Sequence, residues 1–298
     1  MCIRDRIDTG FWSKKTQSIW SDIKEKWFSD KPIGKVIVTH HHPDHVGLAG
    51  WFQTEFKADL WMSRTAWLMA RMLRLDYQKL PTEETINFWR RAGMDDLILN
   101  ERATGKPFNF GDSVHKMPLG FRRIIDGEKI ILGNRSWIVR VGNGHAPEHL
   151  TLWCEDEPIV IAGDQIISSI SPNLGVYATE PDADPVQEWL TSCEAFLPFS
   201  NDKQLVLPGH KLPFYGLPHR LKQLIENHHS ALKRLVAFLK EPQTAVDCFP
   251  VLFNRKISDN EYGLALVEAV AHLNHLYRKK IVKRELNSKG AYVYTLKN

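Results

Sequence analysis

The chain has 298 residues with 43% hydrophobic, 25% charged and 10% aromatic side chains, a balance typical of a globular protein that buries a core. This composition excludes a disordered chain, a fibrous repeat and a disulfide scaffold, and no apolar run approaches the roughly 20 residues that cross a bilayer. The net charge of +4 is too small to indicate nucleic-acid binding by itself. The four cysteines show no C-x-x-C spacing, so we expect reduced thiols in a cytoplasmic protein.

The first residues of the chain have no regular pattern. Met1–Arg6 shows neither strand nor helix periodicity, and Ile7-Asp-Thr-Gly10 is typical of a buried strand that ends in a turn at Gly10. Because almost no strand precedes this turn, we expect that the natural protein begins earlier and that Met1–Arg6 is not native sequence. Any export signal would then be lost with the missing part.

Helices and strands alternate along the rest of the chain. The helices predicted from apolar residues at helical spacing are Ser13–Phe28, Val46–Phe56, Leu217–Leu239 and Asp259–Arg278, with two or three more between residues 64 and about 100. The strands predicted from β-branched and alternating apolar runs are Lys35–Thr39, Ala58–Met62, Arg123–Leu132, Ser136–Val141, Thr151–Cys154, Pro158–Ala162, Gln204–Leu207, Ile281–Leu286 and Ala291–Leu296. This alternation predicts an α/β architecture in which layers of helix cover sheet.

The C-terminal end has the order helix, helix, β-hairpin, which is typical of a winged-helix module. We therefore predict a first domain over residues 1–240, with a helical insertion at about residues 63–120, and a winged-helix-like module over residues 241–298. This module is locally basic around Arg278-Lys-Lys280, Lys283 and Arg284. Since cations are favourable at the end of a helix in any case, we expect no nucleic-acid partner.

The segment Thr39-His-His-His-Pro-Asp-His-Val-Gly47 carries the strongest chemical signal. His40 and His42 are two residues apart, so on an extended chain both side chains leave the same face. Asp44 and His45 follow where the chain turns into a helix. Imidazole nitrogens suit zinc, and a carboxylate adds a harder ligand and neutralises part of the charge of the ion. The segment therefore predicts a metal site.

Three further polar residues each follow a predicted strand. His145 lies in the glycine-flanked segment Gly142-Asn-Gly-His-Ala-Pro-Glu-His149, Asp164 ends Ile159-Val-Ile-Ala-Gly-Asp, and His210 ends Leu205-Val-Leu-Pro-Gly-His. Each position alone is a weak signal, because a lone histidine after a strand is usually structural. Their repetition after successive buried strands indicates that they join the first segment in one site.

The order H-x-H-x-D-H, G-H-x-P, G-D and P-G-H resembles the metallo-β-lactamase superfamily of metal-dependent hydrolases, in particular its glyoxalase II and lactonase branch. The resemblance runs from Asp8 to about Lys240 and implies an αββα sandwich with a dinuclear site between two sheets. In that family the Asp-Thr-Gly turn follows several strands that are absent here, so we expect the first sheet to be incomplete. A winged-helix-like appendage is also found on some members of the family.

The resemblance implies two sets of metal ligands that share one carboxylate. They are His40, His42 and His145 for one ion, Asp44, His45 and His210 for the other, and Asp164 as the bridge. Two Zn²⁺ ions are expected, because redox di-iron members carry an acid at the position of His42. Iron and manganese stay open, since histidine and aspartate also accept them.

The mechanism expected from this arrangement is hydrolysis by a hydroxide that two zinc ions share. Zinc lowers the pKa of bound water to about 7, and the hydroxide attacks a carbonyl that one metal polarises. Asp44 is the predicted catalytic residue, because it binds metal and orients the nucleophile or relays its proton. We therefore predict a metal-dependent hydrolase that cleaves a small carbonyl ester, thioester or lactone.

Several alternatives stay open at this point. The protein could be an iron-dependent dioxygenase of the same fold that acts on a small thiol or persulfide, or a ribonuclease that holds RNA with the winged helix. A metal-binding module without turnover is disfavoured, because all seven ligand positions are present. His149 supports a ligand or the fold, and Tyr177 lies either near the substrate or in the core. The sequence gives no reason for Glu148, which stands where many relatives have glycine.

Overall fold

The computed structural model describes residues 4–28 and 33–297, which form two compact units. The first, here called the sheet unit, comprises the described residues of Met1–Tyr77, Phe108–Ile170 and Asn201–Leu217. The second, here called the helical unit, comprises those of Gln78–Pro107, Ser171–Ser200 and Pro218–Asn298. The predicted division at residue 240 stays a prediction.

The first sheet of the sheet unit has four parallel strands among the described residues. In spatial order they are β1 (Arg4–Ile7), β2 (Ile33–Ile37), β3 (Asp59–Met62) and β4 (Arg122–Arg123). Parallel neighbours need crossover connections, and helices supply them here. These helices are α1 (Lys14–Phe28), α2 (Pro43–Val46), α3 (Ala49–Phe56) and α4 (Arg64–Leu75).

Within the described part of the chain, the second sheet has five strands, which lie side by side in sequence order. They are β5 (Lys129–Leu132), β6 (Arg135–Gly142), β7 (His149–Cys154), β8 (Ile159–Gly163) and β9 (Leu205–Pro208). The strands from β5 to β8 pair with one another in antiparallel fashion, whereas β9 runs parallel to β8. The sheet is therefore mixed.

The alternation of side chains along β2 shows how the sheet unit is layered. Ile37 is fully buried in a cluster with residues of the second sheet, among them Val139 and Leu152. Val36 points the other way, into a cluster with residues of α3 and α4 such as Phe52. The two sheets thus face each other, and helices cover the outer face of the first sheet.

The helical unit contains the remaining helices and a β-hairpin. The helices are α5 (Glu83–Arg91), α6 (Asp96–Thr104), α7 (Pro185–Phe196), α8 (Leu217–Phe238), α9 (Phe249–Phe253) and α10 (Tyr262–Arg278), with α8 starting at the last residue of the sheet unit. The hairpin pairs β10 (Val282–Leu286) with β11 (Tyr292–Leu296) in antiparallel fashion. The predicted order of helix and hairpin at this end is confirmed.

Some local predictions are wrong. Arg4–Arg6 are not irregular but belong to β1, which pairs with β2, while Met1–Ile3 lie outside the described residues. The predicted strand Arg123–Leu132 is two strands in different sheets, because the chain turns at Gly127, whose φ is +75°. The predicted helix Val46–Phe56 is divided between α2 and α3.

Among the described cysteines, Cys154, Cys193 and Cys248 are free thiols, as predicted. Over the described ranges, no helix combines the length and apolar character that crossing a membrane requires.

Candidate metal centre

The seven predicted ligands all lie in the sheet unit, in segments that follow the ends of strands. The first group comes after β2, with Asp44 and His45 already in α2. His145 lies in the loop between β6 and β7, Asp164 directly follows β8, and His210 comes two residues after β9. The strand-then-polar pattern of the sequence thus corresponds to one edge at which strands of both sheets end.

The first cluster consists of His40, His42 and His145. Each can offer one ring nitrogen so that the three nitrogens lie within 4.8 Å of one another. Nε2 of His40 is 3.0 Å from Nδ1 of His42, and the rings of His42 and His145 have their centroids 4.6 Å apart. Three imidazoles that converge in this way form a set of nitrogen ligands.

The second cluster consists of Asp44, His45, Asp164 and His210, whose ligand atoms also lie within 4.8 Å of one another. Nε2 of His210 lies 3.0 Å from Oδ2 of Asp44, and Nε2 of His45 lies 3.5 Å from the same oxygen. The side chain of His210 is 47% exposed, whereas that of His45 is 4% exposed. The cluster is therefore open to solvent on the side of His210.

Asp164 lies within reach of both clusters. Its Oδ2 is 3.6 Å from Nε2 of His145 in the first cluster. The same oxygen is 3.3 Å from Nε2 of His210 and 3.4 Å from Nε2 of His45 in the second. One carboxylate therefore links the two sets of ligands.

Asp8 is a part of the site whose role was not predicted. Its Oδ2 accepts a hydrogen bond from Nδ1 of His45 at 2.7 Å, and its Oδ1 accepts one from the backbone N–H of Thr39 at 2.8 Å. Because Nδ1 of His45 donates to Asp8, Nε2 is the nitrogen turned toward Asp44 and Asp164. The Asp-Thr-Gly motif marks Asp8 as a residue of a turn, but the sequence does not show that its carboxylate contacts His45.

Thr9 fixes the backbone of His45 in addition. Both its backbone N–H and its hydroxyl donate to the carbonyl oxygen of His45, at 2.8 and 2.7 Å. The turn after β1 therefore holds His45 by its ring and by its main chain.

His149 and Glu148 lie beside the first cluster. His149 is completely buried, and its ring stacks on that of His40. Glu148 has a φ of +48°, a region that favours glycine. Its carboxylate accepts a hydrogen bond at 2.7 Å from the backbone N–H of Thr65 in the first turn of α4, and its own N–H donates to Asn143 at 2.9 Å. The structure thus gives Glu148 a role that glycine could not fill.

The electrostatics of the two clusters differ. Burial, and then neighbouring histidines, hold the pKa values of His40 and His42 well below the usual histidine range, so both rings are neutral. Burial also acts to lower the pKa of His45, but the nearby carboxylates of Asp8, Asp164 and Asp44 outweigh it and raise that pKa to about 12. In the second cluster a positive charge is therefore strongly favoured.

The residues present fit a pair of metal ions. Nε2 of His45 and Oδ1 of Asp164 are buried and make no hydrogen bond, although buried polar atoms normally have a partner. Imidazole and carboxylate donors in these numbers suit zinc, and also iron or manganese. The first cluster offers imidazole nitrogens and the second adds two carboxylates, whose negative charge a divalent cation would neutralise.

Tyr177 and the basic segment near the C-terminal hairpin, both singled out in the sequence analysis, lie in the helical unit. Tyr177 is 49% exposed, so it is not a core residue. In the basic segment, Arg284 pairs with Asp182 at 3.0 Å and lies over the rings of Tyr277 and Tyr292, and Lys283 pairs with Glu285 at 3.2 Å. Part of this positive charge is thus neutralised within the chain.

Comparisons with known proteins agree with this fold. Residues 7–210 match the family model of the metallo-beta-lactamase superfamily, and residues 232–297 match that of the metallo-beta-lactamase-like C-terminal domain. A curated relative, the "Probable metallo-hydrolase YqjP" of Bacillus subtilis (strain 168), is 23% identical over 278 residues, which cover 89% of this chain and 81% of the relative.

Two solved structures share the fold over nearly the whole chain. A beta-lactamase domain protein from Burkholderia ambifaria is 30% identical with a TM-score of 0.88, covering 97% of this chain and 83% of that protein. A metallo-beta-lactamase family protein from Thermus thermophilus is 25% identical with a TM-score of 0.73, covering 97% and 89%. The fold is that of a metallo-hydrolase, and the two clusters could hold metal ions. The chain belongs to the metallo-beta-lactamase superfamily and carries the C-terminal domain found with it.

Proposed function

We propose that this protein is a hydrolase that uses two zinc ions to cleave a small carbonyl ester, thioester or lactone. The observation that carries the proposal is the position of Asp164, whose Oδ2 lies within 3.6 Å of ligand nitrogens from both clusters. A carboxylate in this position would hold two ions close together. When bound, two such ions supply water of lowered pKa and polarise the carbonyl group of a substrate.

The chain's own side chains would provide positioning and proton transfer. His40, His42 and His145 would hold one ion and Asp44, His45 and His210 the other, with Asp164 shared. Asp44 is the proposed catalytic residue. Its Oδ2 is 3.0 Å from the half-exposed ring of His210, so its carboxylate lies on the open side of the site, where it can orient a water molecule and accept its proton.

The support for hydrolysis of a small molecule comes from the family and from the donor set. Superfamily membership and the curated relative, named as a probable metallo-hydrolase, agree with hydrolase chemistry. Zinc is proposed because three imidazoles form the first cluster. From the sequence we also propose that the C-terminal domain has a winged-helix-like form and that the protein is cytoplasmic. Arg284 pairs with Asp182 and Lys283 with Glu285, and these ion pairs support the expectation that nucleic acid is not a partner.

A hydrolysis screen tests this function. Zinc-loaded protein would be assayed with acyl-thioesters, homoserine-lactone-like lactones, aryl esters and cephalosporins, beside His42→Ala and the control His219→Ala, which changes an exposed histidine of the helical unit. We expect hydrolysis of at least one ester, thioester or lactone by the unmodified protein and by the control, and a loss of at least about 100-fold in His42→Ala. Undiminished activity in His42→Ala would overturn the proposal. Bound iron with oxygen consumption on a thiol would instead indicate the dioxygenase alternative.

A further inference from the structure

His149 is a buried histidine that contacts residues of both clusters. It is the first residue of β7, and its side chain is shielded from solvent. Its ring lies nearly parallel to that of His40, with 4.5 Å between the ring centroids and 23° between the planes. Its Nε2 accepts a hydrogen bond from the backbone N–H of Asp164 at 3.1 Å. One side chain therefore supports a histidine of the first cluster and the carboxylate that both clusters share.

The ring of His149 also fills the space beside the end of β8. Gly163, the residue before Asp164, has a φ of +50°. A Cβ at this position would lie 2.5 Å from Cε1 and 2.8 Å from Nε2 of His149. The backbone of Gly163 thus packs directly against the imidazole, so a change in the ring would shift the peptide that leads into Asp164.

The hydrogen bond defines the protonation of His149. Because Nε2 accepts the N–H of Asp164, the ring proton is on Nδ1. The lone pair of Nε2 is used in this bond, so the same nitrogen does not bind a metal ion. His149 is therefore a support of the site and not an eighth ligand.

We propose that His149 is a positioning residue that holds Asp164 and His40 in the arrangement that lets one carboxylate reach both ions. The inference depends on the proposed function, since it assigns His149 a role toward the two ions. Asp164 directly follows the peptide that His149 holds, and its Oδ2 lies 3.6 Å from His145 and 3.3 Å from His210. A rotation of this peptide would draw the oxygen away from one cluster or the other.

Cobalt(II) is a suitable probe, because its visible absorption reports on the ligands and does not require turnover. Two variants of similar length separate the hydrogen bond from the packing. His149→Gln places an amide oxygen where it can accept the Asp164 N–H, whereas His149→Met offers only a weak acceptor. We expect the unmodified protein to bind two cobalt ions per chain. His149→Met should bind them about 10- to 100-fold more weakly with an altered spectrum, and His149→Gln should regain affinity to within about threefold.

Circular dichroism of the metal-free proteins and the variant His219→Gln serve as controls. Cobalt affinity that is unchanged in His149→Met, or equally weak in both variants, would show that His149 only packs. If His149→Met does not fold, His149→Gln decides alone: two cobalt sites within about threefold support the role, and a loss beyond about tenfold overturns it. An unmodified protein that binds no cobalt would refute both this role and the metal centre. Two bound ions without hydrolysis of any ester, thioester or lactone would count against the proposed function alone.

Discussion

Nδ1 of His45 donates a hydrogen bond to the carboxylate of Asp8 at 2.7 Å, and this contact ties the turn after β1 to the second cluster. The same carboxylate accepts the backbone N–H of Thr39, one residue before the first ligand. Asp8 therefore orients His45 and anchors the start of the His40–His45 segment. A histidine that binds metal commonly donates its other N–H to a carboxylate in this way.

The first prediction concerns Asp8. We expect Asp8→Asn to bind the ion of the second cluster about 10- to 100-fold more weakly, because a neutral amide does not stabilise the imidazole of His45 as a carboxylate does. The measurement is metal binding by titration calorimetry with zinc. Asp5→Asn is the matched control, since Asp5 lies three residues earlier and pairs with Lys35 instead. Equal zinc affinity in Asp8→Asn and Asp5→Asn would contradict the role of Asp8.

The second prediction concerns Gly209, the residue before His210. A Cβ at this position would collide with Oδ1 of Asp164 and lie 2.8 Å from Cε1 of His45. We expect Gly209→Ala to displace the shared carboxylate, to weaken zinc binding by at least about tenfold and to lower the free energy of unfolding by about 1–3 kcal/mol. Titration calorimetry and urea denaturation measure the two effects.

Gly120→Ala is the control for this change, because a Cβ at Gly120 meets nothing within 4 Å. It should leave zinc affinity and stability unchanged. A Gly209→Ala variant that behaved like the control would show that this side of Asp164 has more room than the structure gives it.

The third prediction concerns Glu148, whose backbone has a positive φ. Glu148→Ala keeps the unfavourable backbone conformation and loses the hydrogen bond to the N–H of Thr65, so the free energy of unfolding should fall by about 1–2 kcal/mol. Glu148→Gly loses the same bond but removes the backbone strain, which regains about 1 kcal/mol. Urea denaturation should therefore rank the unmodified protein first, Glu148→Gly second and Glu148→Ala last. An alanine variant as stable as the unmodified protein would show that the contact with α4 contributes nothing.

The fourth prediction is a pH dependence that arises in the helical unit. Burial raises the pKa of Glu268 to about 7, although a hydrogen bond from Asn173 acts in the other direction. The unfolded chain loses this proton near pH 4.5, so between about pH 4.5 and 7 the folded protein binds the extra proton. The contribution of Glu268 to stability therefore falls as the pH rises through this window, by at most about 3 kcal/mol.

Glu268→Gln removes this titration. Relative to the unmodified protein, the variant should gain stability as the pH rises from 4.5 to 7.5, whereas Glu226→Gln, at an exposed position, should show no such trend. Urea denaturation at several pH values measures the difference. A constant difference in stability between Glu268→Gln and the unmodified protein would show that Glu268 ionises normally.

The sequence predicted much of the site because the fold repeats one simple arrangement. A short buried strand ends and a polar residue follows, and this pattern is visible at Asp164 and at His210 without knowledge of the structure. The structure brings these residues together with the His40–His45 segment and His145 in two clusters. Their roles toward metal stay predictions.

Other features depended on contacts between distant parts of the chain. The role of Asp8 requires contact with His45, 37 positions away, which spacing alone does not reveal. The predicted strand Arg123–Leu132 contains the end of β4 at Arg123 and the whole of β5 from Lys129, and which sheet each joins depends on distant partner strands that the local pattern does not reveal. The helix α7 had a local signal in Asp184, which caps it by accepting the N–H of Gln187, and in Pro185 at its first position, but we did not predict it.

The most direct test of the metal centre is a crystal structure of the zinc-loaded protein, with diffraction data collected on both sides of the zinc absorption edge. We expect two anomalous peaks per chain, one among His40, His42 and His145 and one among Asp44, His45 and His210, both in contact with Asp164. A single peak, a peak outside these clusters or no peak at all would contradict it.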